Sequence, residues 1–142
     1  MMNTPKTKAL NPRQILNGRR VQRITGRTLK IGTWNVKNLF QAGKLKNLAL
    51  KMNRLKINIL GISEIRWPGN GKVTTDNGTL YLSGSDDQQN HPYGVGILVN
   101  SNTNKSIINF VPLSEKVMMM QLQTTKVRMN ILQVYRLQAR VL

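Results

Sequence analysis

Cysteine is absent from the 142 residues, which removes disulfide frameworks and thiolate zinc sites from consideration. Acids are nearly as scarce: 5 Asp and Glu stand against 22 Lys and Arg, for a formal net charge of +17. Aromatic residues make up 5%, so the core must be built from Leu, Ile, Val and Met. No window reaches the ~18 consecutive apolar residues of a membrane helix, and no apolar stretch follows the first charges as a secretory signal requires. Membrane insertion and secretion are therefore not expected, and a nuclear or cytoplasmic address fits. The stretch from Arg13 to Arg27 is Arg-rich and free of acid, as transit peptides are, but it lacks their usual Ser.

What is present is positive charge, unevenly placed. Residues 1–63 hold 14 basic residues, and the first carboxylate in the chain is Glu64. Such a field suits a polyanion, because each phosphate neutralised releases condensed counterions. Nucleic acid is the expected partner, and a membrane is not.

Residues 1–28 mix Lys, Arg, Asn and Thr with scattered aliphatics, too few to offset the entropy of ordering. They read as a disordered basic tail, in which Arg19, Arg20 and Arg23 are candidate nucleic-acid contacts. From Leu29 the pattern changes: Leu-Lys-Ile-Gly-Thr-Trp-Asn-Val (29–36) alternates and is rich in strand formers. After Gly43, the residues Leu45, Leu48, Ala49, Met52 and Leu55 recur at helical spacing, with Lys44, Lys46, Lys51, Arg54 and Lys56 on the other face. Ile57 to Ile62 then reads as a buried strand. Strand, helix and strand in so short a span make a right-handed crossover with parallel strands.

Beyond residue 64, strands are expected at 79–84, 94–100, 106–112, 117–124 and 129–135. Turn clusters at Asp76-Asn77-Gly78 and Ser101-Asn102-Thr103-Asn104 separate them, and such short connections make antiparallel neighbours. The fold class is α/β with a mixed β-sheet.

Asn35 ends the first strand and Glu64 follows the second. In a parallel pair both reach the carboxyl edge of the sheet, where open α/β folds place ligands. A polar residue at a strand end is more often a turn or cap residue, yet a solitary Glu beside a neutral Asn also suits Mg2+, which takes one or two carboxylates and completes its shell with water and phosphate. Glu64 is then the metal ligand, and Asn35 orients the phosphate or a neighbouring ligand. Arg66 and Trp67 follow at once and are candidates to meet phosphate and a sugar or base, although Trp67 before Pro68 equally suits a loop anchor.

The segments Leu29–Val36 and Ile-Leu-Gly-Ile-Ser-Glu-Ile-Arg-Trp (59–67) resemble the first motifs of the endonuclease/exonuclease/phosphatase superfamily. Thr75–Thr79, Tyr93-Gly94-Val95-Gly96-Ile97 and Ile131-Leu132-Gln133-Val134-Tyr135 continue the likeness in order. The resemblance is to the branch of non-LTR retrotransposon endonucleases and craniofacial development protein 2-like proteins, and it spans residues 29–135. It implies an α/β sandwich and a DNA phosphodiesterase dependent on Mg2+, or alternatively Mn2+. It also implies catalytic roles for Asn35, Glu64 and Tyr135, with Glu64 and Asn35 at the metal.

The family continues with Ala-Pro after that Tyr, then Asp-x-Asn and Ser-Asp-His. Here Arg136–Leu142 follows instead, which reads as a divergent tail. The expected architecture is therefore a truncated, partial sandwich: the amino-terminal half of the domain, with little of its second sheet and without the groups for general acid-base work. Three functions remain open: an endonuclease fragment inactive by itself, a noncatalytic basic nucleic-acid binder, or a retrotransposon remnant.

The other polar groups call for little. His91, Asp86 and Asp87 lie in polar loops and read as solvated. Asp76 belongs to a hairpin turn, Gly94-Val95-Gly96 to a close-packed strand, and Met118–Met120 to the core.

Overall fold

The computed structural model describes residues 28–39, 43–86 and 93–135. The alternating segment forms strand β1 (Ile31–Asn35), followed by helix α1 (Lys44–Arg54) and strand β2 (Ile59–Ser63). β1 and β2 are parallel, with Ile31 opposite Ile59 and Asn35 opposite Ser63. Gly43 leads into α1 at φ +78°, a left-handed conformation that costs glycine little because it has no Cβ. Leu45, Ala49 and Met52 form the buried stripe of α1, while Lys51 and Arg54 occupy its last turn, where positive charge meets the negative end of the helix dipole. Leu55, placed by its spacing on the apolar face, instead caps the helix and is 47% exposed.

Strands β3 (Asn70–Thr75) and β4 (Gly78–Ser83) form a hairpin around Asp76-Asn77. The Thr75 hydroxyl accepts from the N–H groups of Asn77 and Gly78 at 3.3 and 3.1 Å, which holds the turn through side-chain chemistry. β3 is not among the strands that the local pattern marks. Strand β5 (Val95–Asn100) runs between β2 and β4, giving the order β1-β2-β5-β4-β3 in a mixed sheet. A short helix, α2 (Ser101–Asn104), stands where a turn was expected; the Asn100 side chain accepts from the Thr103 N–H at 2.8 Å and starts it.

Strands β6 (Ile107–Ser114), β7 (Val117–Gln123) and β8 (Arg128–Val134) form an antiparallel second sheet in that order. This corrects the expectation that little of a second sheet would form. Two successive short hairpins need no later strand to close three β-strands, and their inner residues cover the first sheet. β6 lies against β4, β7 against β5, and β8 against β5 and β2. Ile107, Phe110, Met118, Met120 and Leu122 pack on Ile59, Tyr81, Val95, Ile97 and Val99. Of the three methionines in a row, Met118 and Met120 are core and Met119 faces outward.

A separate core lies beneath α1, where Leu45, Ala49 and Met52 meet Leu60, Ile62, Leu80 and Leu98. β2 is therefore buried on both faces, because α1 covers one and β8 the other. Gly61 of β2 makes the second contact possible: a Cβ there would lie 2.0 Å from Gln133 Oε1, so the β8 side chain occupies the space that glycine leaves. β1, at the sheet edge, is exposed along most of its length. The outer face of the second sheet carries a hydrogen-bonded row of amides, Asn109 to Gln121 to Asn130, beside the exposed Leu132 and Val134.

Candidate active site

The backbone after β2 is built to push one side chain outward. The Val36 N–H donates to Ser63 O at 3.1 Å, the Leu39 N–H to Ile65 O at 2.9 Å, and the Ile65 N–H to Gly94 O at 3.0 Å. Ser63 and Ile65 are thus latched on either side of Glu64, and the Ile65 side chain is fully buried. Gly96 makes room for it, since a Cβ there would stand 2.6 Å from Ile65 Cδ1. Glu64 itself adopts φ +56° and Arg66 φ +60°. Non-glycine residues seldom take this left-handed region, and such strain gathers at functional sites.

Asn35 occupies the matching position at the end of β1. Its Nδ2 donates to Glu64 Oε2, and its Oδ1 accepts from the Lys37 N–H at 3.1 Å. Lys37 and Asn38 also have positive φ, turning the chain away and leaving the amide exposed. The two candidates that sequence placed at one sheet edge are therefore in direct contact. Asn35 presents its amide nitrogen to the carboxylate while its oxygen accepts from the backbone, so in this arrangement it orients Glu64.

Arg66 Nη2 lies 3.5 Å from Glu64 Oε1, with side-chain exposures of 44% and 18%. A guanidinium so open to solvent contributes at most about 1 kcal/mol through this pair, so Arg66 is a counter-ion that an incoming group could displace. Glu64 is not sealed in a buried ion pair. Tyr135 follows β8 and reaches this end of the sandwich through Tyr93: the two rings are 5.6 Å apart, and the Tyr93 carbonyl accepts from the Arg66 N–H at 2.8 Å. Lys116 Nζ stands 4.7 Å from the Tyr93 ring centroid, and the Tyr135 N–H donates to Lys116 O at 2.9 Å.

Tyr93 and Lys116 were not singled out from sequence. An aromatic directly before the glycine that opens β5 was the available signal for Tyr93, whereas nothing local marked Lys116. Trp67 packs against the core beneath α1, as a loop anchor would. Arg19, Arg20, Arg23, Asp87, His91 and the segment 136–142 lie outside the described residues.

No group of three or more His, Cys, Asp or Glu that could hold a metal occurs among the described residues. Glu64 supplies one carboxylate at the strand ends. That donor set is too small for a cage but fits a Mg2+ ion whose shell is finished by water and phosphate oxygens. None of the described helices is long and apolar enough to cross a membrane.

Two packed sheets, a crossover helix, and an amide–carboxylate pair at the carboxyl ends of parallel strands define an α/β protein with a polar site at a sheet edge. Over 105 residues, 74% of its length, the chain is 32% identical to craniofacial development protein 2 of Bos taurus and 31% identical to craniofacial development protein 2 of Tragulus javanicus. It is homologous to those proteins over that stretch. The matched stretch is 17% and 18% of their lengths, so the chain spans about a sixth of the curated relatives it matches. No family model matches the chain.

Proposed function

We propose that the chain carries the metal-holding part of an endonuclease/exonuclease/phosphatase-type site of the retrotransposon endonuclease branch, directed at DNA phosphodiesters and inactive by itself. The observation that carries this reading is the hydrogen bond from Asn35 Nδ2 to Glu64 Oε2, which joins two strand ends at the edge where α/β sheets bind ligands. Glu64 is the residue to hold Mg2+ or Mn2+. The ion would neutralise charge on a phosphate oxygen when bound. Asn35 keeps the carboxylate aimed outward, Arg66 releases Glu64 and turns to phosphate, and Tyr135 approaches from the second sheet. No described side chain at the site is placed as a general acid or base, and each such loss lowers rate by about 100- to 10,000-fold.

Titration of the full chain with Mn2+, followed by paramagnetic broadening of backbone amide signals, tests the site. The Asn35 and Glu64 signals should broaden first, and Glu64→Gln should remove the effect. Broadening confined to Asp76 or Asp86 would reject the assignment. Plasmid nicking in Mg2+ should be undetectable; nicking that Glu64→Ala abolishes would overturn the claim that the chain is inactive.

A noncatalytic role in holding nucleic acid also has specific support. α1 carries Lys44, Lys46, Lys51 and Arg54 without an acidic residue, which is the charge pattern of a phosphate-binding face.

A further inference from the structure

The exposed side of β1 carries a tryptophan that the site above does not use. Trp34 is 45% exposed and lies on the opposite face of the strand from Asn35, because successive strand residues alternate sides. Lys51 Nζ stands 5.1 Å from its ring centroid. The ammonium contact is worth only about 1 kcal/mol at an exposed position, so a stronger stacking partner can displace it.

Three contacts fix what surrounds it. Lys44 Nζ donates to the carbonyls of Val36 and Asn38 at 2.8 Å each, beyond the carboxyl end of β1. Lys51 meets Trp34 one residue before the end of the strand. Lys30 Nζ donates to the Leu55 carbonyl at 3.1 Å, at the strand's beginning. Lys44, Leu48, Lys51 and Leu55 share one helical stripe by their spacing, so α1 runs antiparallel to β1 with this stripe along the open edge. The result is a lane bordered by three ammonium groups, with one indole between them, while the Asn35–Glu64 pair lies at the strand end with Asn35 on the other face. No acid is present on β1 or α1; Glu64, bonded to Asn35, is the acid at the end of the strand.

We infer that this lane binds an unpaired stretch of nucleic acid, with a base stacked on Trp34 in place of the Lys51 ammonium, which swings out to hold a flanking phosphate together with Lys30. The occupant follows from complementarity: a cationic border selects a polyanion, and an exposed indole selects one that carries planar bases. Aromatic platforms within basic grooves bind single strands without regard to sequence, because every base has a stacking face. A paired duplex keeps its bases stacked on one another and cannot offer one to Trp34. The inference rests on the polynucleotide partner proposed above and narrows it to single-stranded or frayed substrate.

The test compares two fluorescein-labelled probes of equal length on the full chain by anisotropy, an oligothymidylate and its abasic counterpart. The phosphates are the same in both, so electrostatic attraction cancels. The oligothymidylate should bind roughly five- to a hundredfold more tightly, the range expected for one stacked base. Trp34→Ala should erase that preference and leave abasic affinity unchanged, while Trp34→Phe should keep most of it. With Trp67→Phe leaving Trp34 as the sole indole, oligothymidylate should quench the emission and the abasic strand should not. Equal affinities in the unmodified chain, or a preference that survives Trp34→Ala, would overturn the platform. Absence of binding to both probes would reject the polynucleotide partner as well, whereas the Mn2+ response of Glu64 reports on the metal site independently.

Discussion

β1 and β2 are neighbours paired residue for residue, yet one is exposed almost throughout and the other is buried on both faces. Ile31 and Ile59 sit opposite each other in the same register and are 53% and 0% exposed. Hydrogen bonding is shared by the two strands; cover is not, since α1 and β8 both close over β2. The candidate pair straddles this boundary, with Asn35 at the end of the open strand and Glu64 just past the end of the closed one. A polar site gains from that placement, because the buried strand sets its geometry and the open one admits a ligand.

The contrast can be broken most directly at its matched isoleucines. Ile59→Ala should cost about 2–5 kcal/mol, as large-to-small changes in cores do. Ile31→Ala should cost well under half as much, since side chains this exposed have little burial to lose. Urea denaturation of the two variants checks the difference, and equal losses would show that β1 is covered in solution. Gly96→Ala comes next. Its new Cβ would press on Ile65 Cδ1, Leu80 Cδ1 and the Tyr81 carbonyl, and overpacking of this kind costs about 1–3 kcal/mol. Because Ile65 holds the Glu64 turn, the same variant should broaden or shift the Glu64 amide signal. The smallest effect belongs to Arg66→Ala, about 1 kcal/mol or less for an exposed pair; a larger drop in the urea midpoint would mean that the guanidinium is structural.

Periodicity revealed most of the fold. The helical stripe of α1, the parallel β1–β2 pair and the strands β4 to β8 all follow from local alternation and turn residues, because each buries one face or both. β3 escaped notice because Asn70-Gly71-Lys72-Val73-Thr74-Thr75 has a single large apolar residue; its strand form comes from pairing with β4, which is a tertiary fact. The second sheet was underestimated because its closure depends on three segments meeting at a distance. At the site, the adjacency of Asn35 and Glu64 was legible from two strand ends, whereas the left-handed backbone of Glu64 and Arg66 depends on the Ile65 latch and on Gly94 and Gly96 across the sheet. No local pattern announces that arrangement.

The notch at Gly61 that receives Gln133 has a consequence for biogenesis. During synthesis β2 leaves the ribosome long before β8, so one face of β2 stays wet until Gln133 has emerged. Nascent chains stalled ahead of Gln133 should therefore depend on chaperones more than those in which β8 has emerged.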